Sequence, residues 1–229
     1  KAQVVLDPVM LHGREFYEKI AVPPVEKNYV LLYHAAQLAN DALEKAVTYA
    51  KEHDLMIIES SDRPYENGLL AGRTEVPHIW KYEIGVEEWL GYIMNADCIF
   101  TNSFHGTCFS IIFNKEFYAG ERTGTKIPWL LSVFGLKNRW LKGSEAPDEP
   151  PIDYSRVEVL RRKYRQITED YILNAVAETE KLLSGKVKNR AALSGMEKAV
   201  LAKPEEKKPQ PESLKSRIKN KLRTAFPAR

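Results

Sequence analysis

Residues 103–107, Ser-Phe-His-Gly-Thr, combine residue types that could bind a small anion and exchange a proton with it. A short apolar run, Cys98 to Phe100, ends just before them, and a second one, Phe109 to Phe113, follows. The first run has the length of a strand, whereas the second continues with helical character. Ser103 is therefore expected to cap a helix, its hydroxyl accepting a hydrogen bond from an amide of the first turn.

The histidine of this motif then lies in the first turn of a helix that follows a strand. Backbone amides and the positive end of the helix dipole attract anions at such a point. His105 could donate to the same anion or transfer a proton, and Gly106 would let a ligand approach the backbone. We predict a small-anion pocket formed by Ser103, His105, Gly106 and Thr107. The alternative is a histidine that caps the helix or packs in the core and binds no ligand.

Three further residues are candidates for substrate contacts. His34 and Glu59 each follow a predicted strand, and Glu59 could bind a hydroxyl or act as a base, although such residues are more often solvated or salt-bridged. Lys126, with Arg122 in the glycine-containing segment 120–126, could contact a phosphate. The glycine spacing is not that of a P-loop, so a solvated loop is the alternative.

The hydrophobic pattern alternates predicted strands with predicted helices. Strands are expected at Tyr29–Tyr33, Leu55–Ile58, Cys98–Phe100 and Phe117–Tyr118. Helices are expected at Glu15–Ala21, Val86–Asn95, Lys126–Phe134 and Asp153–Leu183. Two further helices are expected, one capped by Asn40 or Asp41 and one that starts near His105. This alternation predicts an α/β fold, a Rossmann-like parallel sheet with flanking helices. Right-handed crossovers bring the carboxyl ends of the strands to one edge, where ligands bind in such sheets. We expect His34, Glu59, Ser103 and His105 to share that edge.

Composition excludes several classes of protein. No apolar run approaches the ~20 residues that a membrane-spanning helix needs, and the sequence does not begin with a signal-peptide pattern. Cys98 and Cys108 both lie in apolar runs, which predicts buried thiols rather than a disulfide framework or a metal site. A cytoplasmic location without a bound metal is expected.

The carboxyl-terminal part of the chain has a different composition. From Lys186 onward there are thirteen Lys and Arg against four Glu, a net charge of +9, so the remainder carries −6. Gly185 is expected to end the preceding helix, and residues 203–212 are expected to be disordered. Residues 213–226 place Leu214, Ile218, Leu222 and Phe226 at a spacing of four. This pattern favours either a helix on anionic lipid at the inner face of the cell membrane or a solubilising tail, with nucleic acid as a less favoured partner.

The sequence resembles the polysaccharide pyruvyl transferase family in several segments, which occur in the same order as in that family. The specific ones are Glu87-Glu88-Trp89-Leu90, Asn95-Ala96-Asp97, Thr101-Asn102-Ser103-Phe104-His105-Gly106 and Phe109 to Lys115. Looser similarity extends over roughly residues 4–183, including Val5 to Leu11, Leu130-Leu131, Phe134-Gly135-Leu136, Arg139, Ile152-Asp153-Tyr154 and Arg165.

This resemblance implies one half of a glycosyltransferase-B-like fold, in which two Rossmann-like halves enclose a cleft. Members transfer a pyruvyl group from phosphoenolpyruvate to a pair of sugar hydroxyls, forming a cyclic ketal on cell-surface polysaccharide or its lipid-linked precursor. No cofactor is implied, and the partners are phosphoenolpyruvate and a glycan or lipid-linked sugar acceptor. The histidine of the family motif falls on His105, which is implied to bind the donor and to transfer the proton.

The resemblance also implies an organisation for the chain. Residues 1–27 would lead in from an N-terminal half upstream of Lys1, and residues 28–185 would form the donor-binding domain. Residues 186–229 have no counterpart in this resemblance and are expected from their composition to form a basic, largely disordered tail. The family's Arg motif would belong to that upstream half, and Lys126 stands where an Arg is often found. We therefore expect this chain alone to be inactive. The alternatives are a nucleotide-sugar glycosyltransferase, with Glu59 as the acid that binds the ribose, and a non-catalytic binding module.

Overall fold

The computed structural model describes residues 3–35, 37–120, 124–141 and 149–195, with side chains described as far as residue 184. Two compact units divide the chain. The larger unit comprises residues Pro8–Arg162. The other comprises Lys1–Asp7 and the residues from Lys163 onward.

The larger unit contains a sheet of five parallel strands. They are β1 (Tyr29–His34), β2 (Met56–Ser61), β3 (His78–Lys81), β4 (Cys98–Thr101) and β5 (Glu116–Ala119). Their order across the sheet is β3-β2-β1-β4-β5, with every neighbouring pair parallel. The predicted Rossmann-like α/β fold is confirmed, and the order changes direction between β1 and β4, where such sheets bind ligands.

The helices are α1 (Arg14–Tyr17), α2 (Asn40–Glu52), α3 (Val86–Asn95), α4 (Phe104–Ile112), α5 (Lys126–Val133) and α6 (Tyr154–Gly195), with 3₁₀ turns at Pro8–Leu11 and Lys137–Arg139. Ser103 caps α4 as predicted. The residue that caps α2 is Ala39, so the expected cap at Asn40 or Asp41 was wrong. The carboxylate of Asp41 accepts a hydrogen bond from the adjacent Ala42 amide instead.

Other elements also differ from the prediction. Helix α1 is only four residues long. Strand β3 was not predicted, because an edge strand that is buried only in part need not form an apolar run. Helix α6 continues past Gly185 to Gly195, since one glycine costs a helix only about 1 kcal/mol.

The core of the larger unit packs α2 against one face of the sheet. Val30, Leu32, Ile57 and Phe100 of the strands meet Ala46 of α2, and all five are at most 1% exposed. Both cysteines are buried free thiols, as predicted. These strands were identifiable from sequence because a parallel strand that is covered on both faces is continuously apolar.

The second unit is described over residues 3–7 and the part of α6 from Lys163 onward. The amide of Leu6 donates to the hydroxyl of Thr168 at 3.0 Å, and that hydroxyl donates to the carbonyl of Tyr164 at 2.8 Å. Within the described ranges, no helix has the length and apolar character needed to cross a membrane. The predictions for residues 203–212 and 213–226 fall outside the described residues.

Candidate functional site

A cavity of about 930 Å³ lies at the carboxyl edge of the sheet. Its lining includes the residues that end or follow three adjacent strands: Tyr33 of β1, Ser60 and Ser61 of β2, and Ser103 and His105 after β4. The amino-terminal turn of α4 therefore opens into this cavity. The predicted position of Ser103 and His105 at this edge is confirmed.

Two hydroxyls organise the turn between β4 and α4. The Ser103 amide donates to Thr101 Oγ1 at 3.0 Å, and Ser103 Oγ accepts from the Gly106 amide at 3.2 Å. The first helical bond joins the Thr107 amide to the Ser103 carbonyl at 2.9 Å. The amide of Phe104 has no hydrogen-bond acceptor among the described residues. This amide and the helix dipole therefore provide a positive potential at the cavity.

Two basic side chains line the same end of the cavity. His105 is exposed in the first turn of α4. Lys126 is the first residue of α5, and its Nζ lies 5.6 Å from the centroid of the Phe104 ring. A cation at this distance from an aromatic face is attracted to it. The packing of Phe104 thus brings Lys126 towards the helix start, and together they form an anion-attracting end of the cavity.

Gly106 and Thr107 lie behind this turn. A Cβ atom on Gly106 would come within 2.6 Å of Thr101 Oγ1 and 3.1 Å of the Tyr33 ring. Thr107 is fully buried, and its hydroxyl donates to the Ser103 carbonyl at 2.9 Å. The space left by glycine is filled by β4 and Tyr33, which corrects the expectation that it admits a ligand. Both residues support the turn from within.

Replacing Gly106 with alanine is expected to lower the free energy of unfolding by about 1–3 kcal/mol, the usual range for overpacking a close-packed site. The added methyl group would press α4 away from β4. Chemical denaturation of this chain measures the change. Gly72→Ala is not a suitable control, because Gly72 has a positive φ of 67°, a backbone conformation that strains alanine. Ser132→Ala in α5 provides a helical control, and equal stability of the Gly106 variant and wild type would contradict the packing role.

Glu59 and His34 lie outside this cavity, on the other face of the sheet. Successive residues of a strand point to opposite faces, so Ser60 lines the cavity whereas Glu59 points away from it. Glu59 and His34 are both fully buried, and His34 Nε2 donates to Glu59 Oε1 at 2.8 Å. His78 Nε2 donates to Glu59 Oε2 at 2.9 Å. Glu59 was predicted to follow a strand because β2 extends three residues beyond its predicted end, and His34 because β1 extends one residue beyond its predicted end.

Backbone amides complete the environment of the Glu59 carboxylate. Leu69 and Leu70 donate to it at 2.6 Å and 3.2 Å, and Gly68 packs so closely that a Cβ there would lie 2.5 Å from Oε2. Burial alone raises the pKa of Glu59, but the hydrogen bonds from the two histidines and the two amides outweigh burial and lower it to about 2. The side chain is therefore an anionic anchor for the loop that follows β2, and it is unsuited to act as a base near neutral pH.

The structure adds lining residues that were not predicted from the sequence to belong to the site. Asp62, Tyr82 and Trp89 line the cavity, and Tyr17 and Phe109 form part of its aromatic wall, with ring centroids 4.8 Å apart. Asp62 was detectable in principle, because it directly follows β2 and the strand-end rule applies to it once the strand is correctly bounded. Tyr82 follows β3, which the hydrophobic pattern did not reveal.

A metal centre is not formed by the described residues, which contain no group of three or more potential His, Cys, Asp or Glu ligands. Arg122, the other predicted phosphate ligand, falls outside the described residues.

Comparison with known proteins identifies a family over half of the chain. The family model for polysaccharide pyruvyl transferases matches residues 1–119, a range that includes β1 to β5 and the Ser-Phe-His-Gly-Thr motif. A search of curated proteins found no match.

Solved structures that resemble this chain do so at low sequence identity. They include a glycotransferase of kitacinnamycin, with 17% identity and a TM-score of 0.44 over 64% of this chain and 41% of that chain. Another is UDP-N-acetylglucosamine 2-epimerase from Rickettsia bellii, with 18% identity and a TM-score of 0.41 over 72% of this chain and 49% of that one. The glycosyltransferase SnogD from Streptomyces nogalater has 12% identity and a TM-score of 0.38, over 74% and 44% respectively.

The present chain thus spans less than half the length of each of these structures. Its family assignment depends on the sequence match, which covers the sheet and the turn that opens into the cavity. The chain belongs to the polysaccharide pyruvyl transferase family.

Proposed function

We propose that this chain is the donor-binding part of an enzyme that transfers a pyruvyl group from phosphoenolpyruvate to a pair of sugar hydroxyls. The observation that carries the proposal is the convergence of His105, Lys126 and the amino-terminal turn of α4 on one cavity. Phosphoenolpyruvate has a phosphate and a carboxylate, and either group suits a helix start that is flanked by a cation.

The chemistry needs a proton donor and fixed positive charge. Protonation of the methylene carbon of phosphoenolpyruvate by His105 would generate an oxocarbenium-like centre at the neighbouring carbon. One sugar hydroxyl adds to this centre and its proton restores the protonated form of His105. The carbon–oxygen bond to phosphate then breaks, and the second hydroxyl closes the ketal and gives its proton to the inorganic phosphate that leaves. Lys126 and the α4 amides would stabilise the phosphate as it accumulates charge on leaving.

The nucleotide-sugar alternative loses its main candidate residue. That reaction would need an acid that can reach a ribose, and Glu59 was the candidate for that role. Its carboxylate is fully buried and accepts four hydrogen bonds from within the protein. The pyruvyl transfer hypothesis has no comparable conflict, because His105 is exposed in the cavity.

The proposed function is tested with the protein that contains this chain, phosphoenolpyruvate and a glycan acceptor. We expect release of inorganic phosphate together with a pyruvylated glycan, which mass spectrometry detects. Phosphate release without ketal formation, or binding of a uridine diphosphate sugar in place of phosphoenolpyruvate, would refute the proposal.

Replacing Lys126 with alanine is expected to weaken phosphoenolpyruvate binding about tenfold, the lower end of the range for a hydrogen bond to a charged group, since the side chain is exposed. Lys126→Arg should retain binding, because arginine keeps the charge and adds a bidentate fork. Isothermal titration of each variant measures the dissociation constant.

Lys137→Ala is a matched control, because Lys137 is exposed and does not line the cavity. The Lys137 variant should bind phosphoenolpyruvate as tightly as wild type. If the Lys126→Ala variant also did so, Lys126 would be excluded from the donor site.

A further inference from the structure

The cavity has a second end whose chemistry is opposite to that of the α4 turn. Ser60, Ser61 and Asp62 line it where β2 ends, together with Tyr82, which follows β3. Among the described residues that line the cavity, Asp62 is the only carboxylate and Lys126 the only lysine or arginine. The two ends therefore attract different chemical groups.

The register of the sheet places these ends a definite distance apart. Ser60, Tyr33 and Thr101 lie side by side in one row across β2, β1 and β4. Asp62 and Ser103 each follow this row by two residues. Because adjacent strands are about 4.8 Å apart, the two backbones leave the sheet about 10 Å from one another. A donor at Ser103 thus leaves space between itself and Asp62.

Asp62 is unsuited to the donor but suited to hydroxyl groups. Its side chain is exposed, and within the described part of the chain it has no hydrogen bond or ion pair. A carboxylate repels the phosphate and carboxylate of phosphoenolpyruvate. It only accepts hydrogen bonds, through two oxygens, and this matches the donor pattern of neighbouring sugar hydroxyls.

Tyr82 follows Lys81, the register partner of Ser60, and lines the same cavity as Asp62. Its side chain is 41% exposed, and its ring is nearly parallel to that of Trp80, at an angle of 7° with centroids 6.2 Å apart. Trp80 and Tyr82 therefore restrict each other's orientation. An exposed aromatic ring next to a polar group can cover one apolar face of a ligand while its hydroxyls remain hydrogen-bonded.

The size of the cavity leaves room for a second ligand beside the donor. Its volume of about 930 Å³ is at the upper end of the range of about 300–1,000 Å³ for sites that enclose drug-sized ligands. A three-carbon donor at the α4 turn would fill only a small part of it. The remaining space extends from the α4 turn towards Asp62 and Tyr82.

We propose that Asp62 and Tyr82 form the acceptor subsite, in which the carboxylate accepts hydrogen bonds from hydroxyls of a sugar ring and Tyr82 packs against its apolar face. This inference rests on the proposed function, because the sugar is the acceptor of the pyruvyl group. The subsite orients the hydroxyl pair towards the donor carbon at the α4 turn.

Binding is tested first with the protein that contains this chain, saturated with phosphoenolpyruvate, and a panel of methyl glycosides of glucose, galactose and mannose. Saturation-transfer NMR should detect at least one glycoside in wild type. We expect Asp62→Ala and Tyr82→Ala to weaken that signal about tenfold or more, whereas Tyr82→Phe, which keeps the ring, should bind like wild type. Glu83→Ala is the control, since Glu83 is an exposed acid next to Tyr82 that does not line the cavity.

Steady-state kinetics of the protein that contains this chain provide the second measurement. Asp62→Ala should raise the KM for the acceptor glycan about tenfold and leave the KM for phosphoenolpyruvate unchanged. Failure of wild type to bind phosphoenolpyruvate would refute the proposed function itself. If phosphoenolpyruvate binds but no glycoside does, or if the Asp62 and Tyr82 variants bind the glycoside as wild type does, the acceptor subsite is refuted while the donor site stands. An Asp62→Ala variant that loses affinity for phosphoenolpyruvate would also refute the acceptor subsite.

Discussion

Replacing His105 with alanine is expected to reduce pyruvyl transfer by a factor of about 10² to 10⁴, the usual contribution of a general acid. The side chain is exposed in the cavity at the start of α4, so it can reach a donor whose anionic groups lie at that turn. Loss of the imidazole removes the proposed proton donor while the cap formed by Ser103 remains. The rate constant for turnover, measured with saturating donor and acceptor, should carry most of the effect.

His53→Ala is the matched control for this experiment. His53 is an exposed histidine that caps the carboxyl end of α2 and does not line the cavity. We expect this variant to retain wild-type turnover. A His105 variant with turnover within threefold of wild type would exclude the proposed acid. Loss of donor binding by the His105 variant would favour an enzyme over a non-catalytic binding module.

Replacing Glu59 with glutamine is expected to lower the free energy of unfolding by about 3 kcal/mol at neutral pH. The pKa of Glu59 is lowered from 4.5 to about 2 in the folded protein, and each unit corresponds to about 1.4 kcal/mol. Because the folded pKa lies below the unfolded one, this stabilisation is complete above about pH 4.5 and is lost as the pH falls towards 2. The difference between the two proteins should therefore shrink over that interval.

Urea denaturation at several pH values between 7 and 2.5 measures this difference. Glu66→Gln is the control, because Glu66 belongs to the same loop after β2 but is exposed. We expect its stability to remain within about 0.5 kcal/mol of wild type, as is usual for surface substitutions. A Glu59 variant that is as stable as wild type at pH 7 would contradict the anchoring role.

The parts of the fold that could be predicted are those in which local pattern and final environment agree. Strands β1 and β4 are buried on both faces, so their apolar runs are visible without knowledge of the rest. The cap formed by Ser103 involves residues only three positions apart, and its chemistry is therefore local. Strand β3 escaped prediction because it lies at the edge of the sheet and is only half-buried.

The candidate site was predictable only in part, for a related reason. His105 and Lys126 follow from sequence, since one lies in a helix turn after a strand and the other begins a helix. The role of Glu59 depended on the length of β2. The strand ends at Ser61 and not at Ile58, so the residue that follows it is Asp62 and not Glu59. A side chain inside a strand can point to either face, and only its neighbours decide which one is buried.

Capping and hydrophobic periodicity are local properties, and they suffice to assign residues 103–107 to a capped helix start at the carboxyl edge of a parallel sheet. The surroundings of that turn depend on packing between elements that are far apart along the chain. Packing against β4 and Tyr33 explains Gly106, and hydrogen bonds from two histidines and two amides explain Glu59. The presence of Asp62 and Tyr82 in the lining of one cavity likewise results from strand order and register, which bring together elements that are distant along the chain.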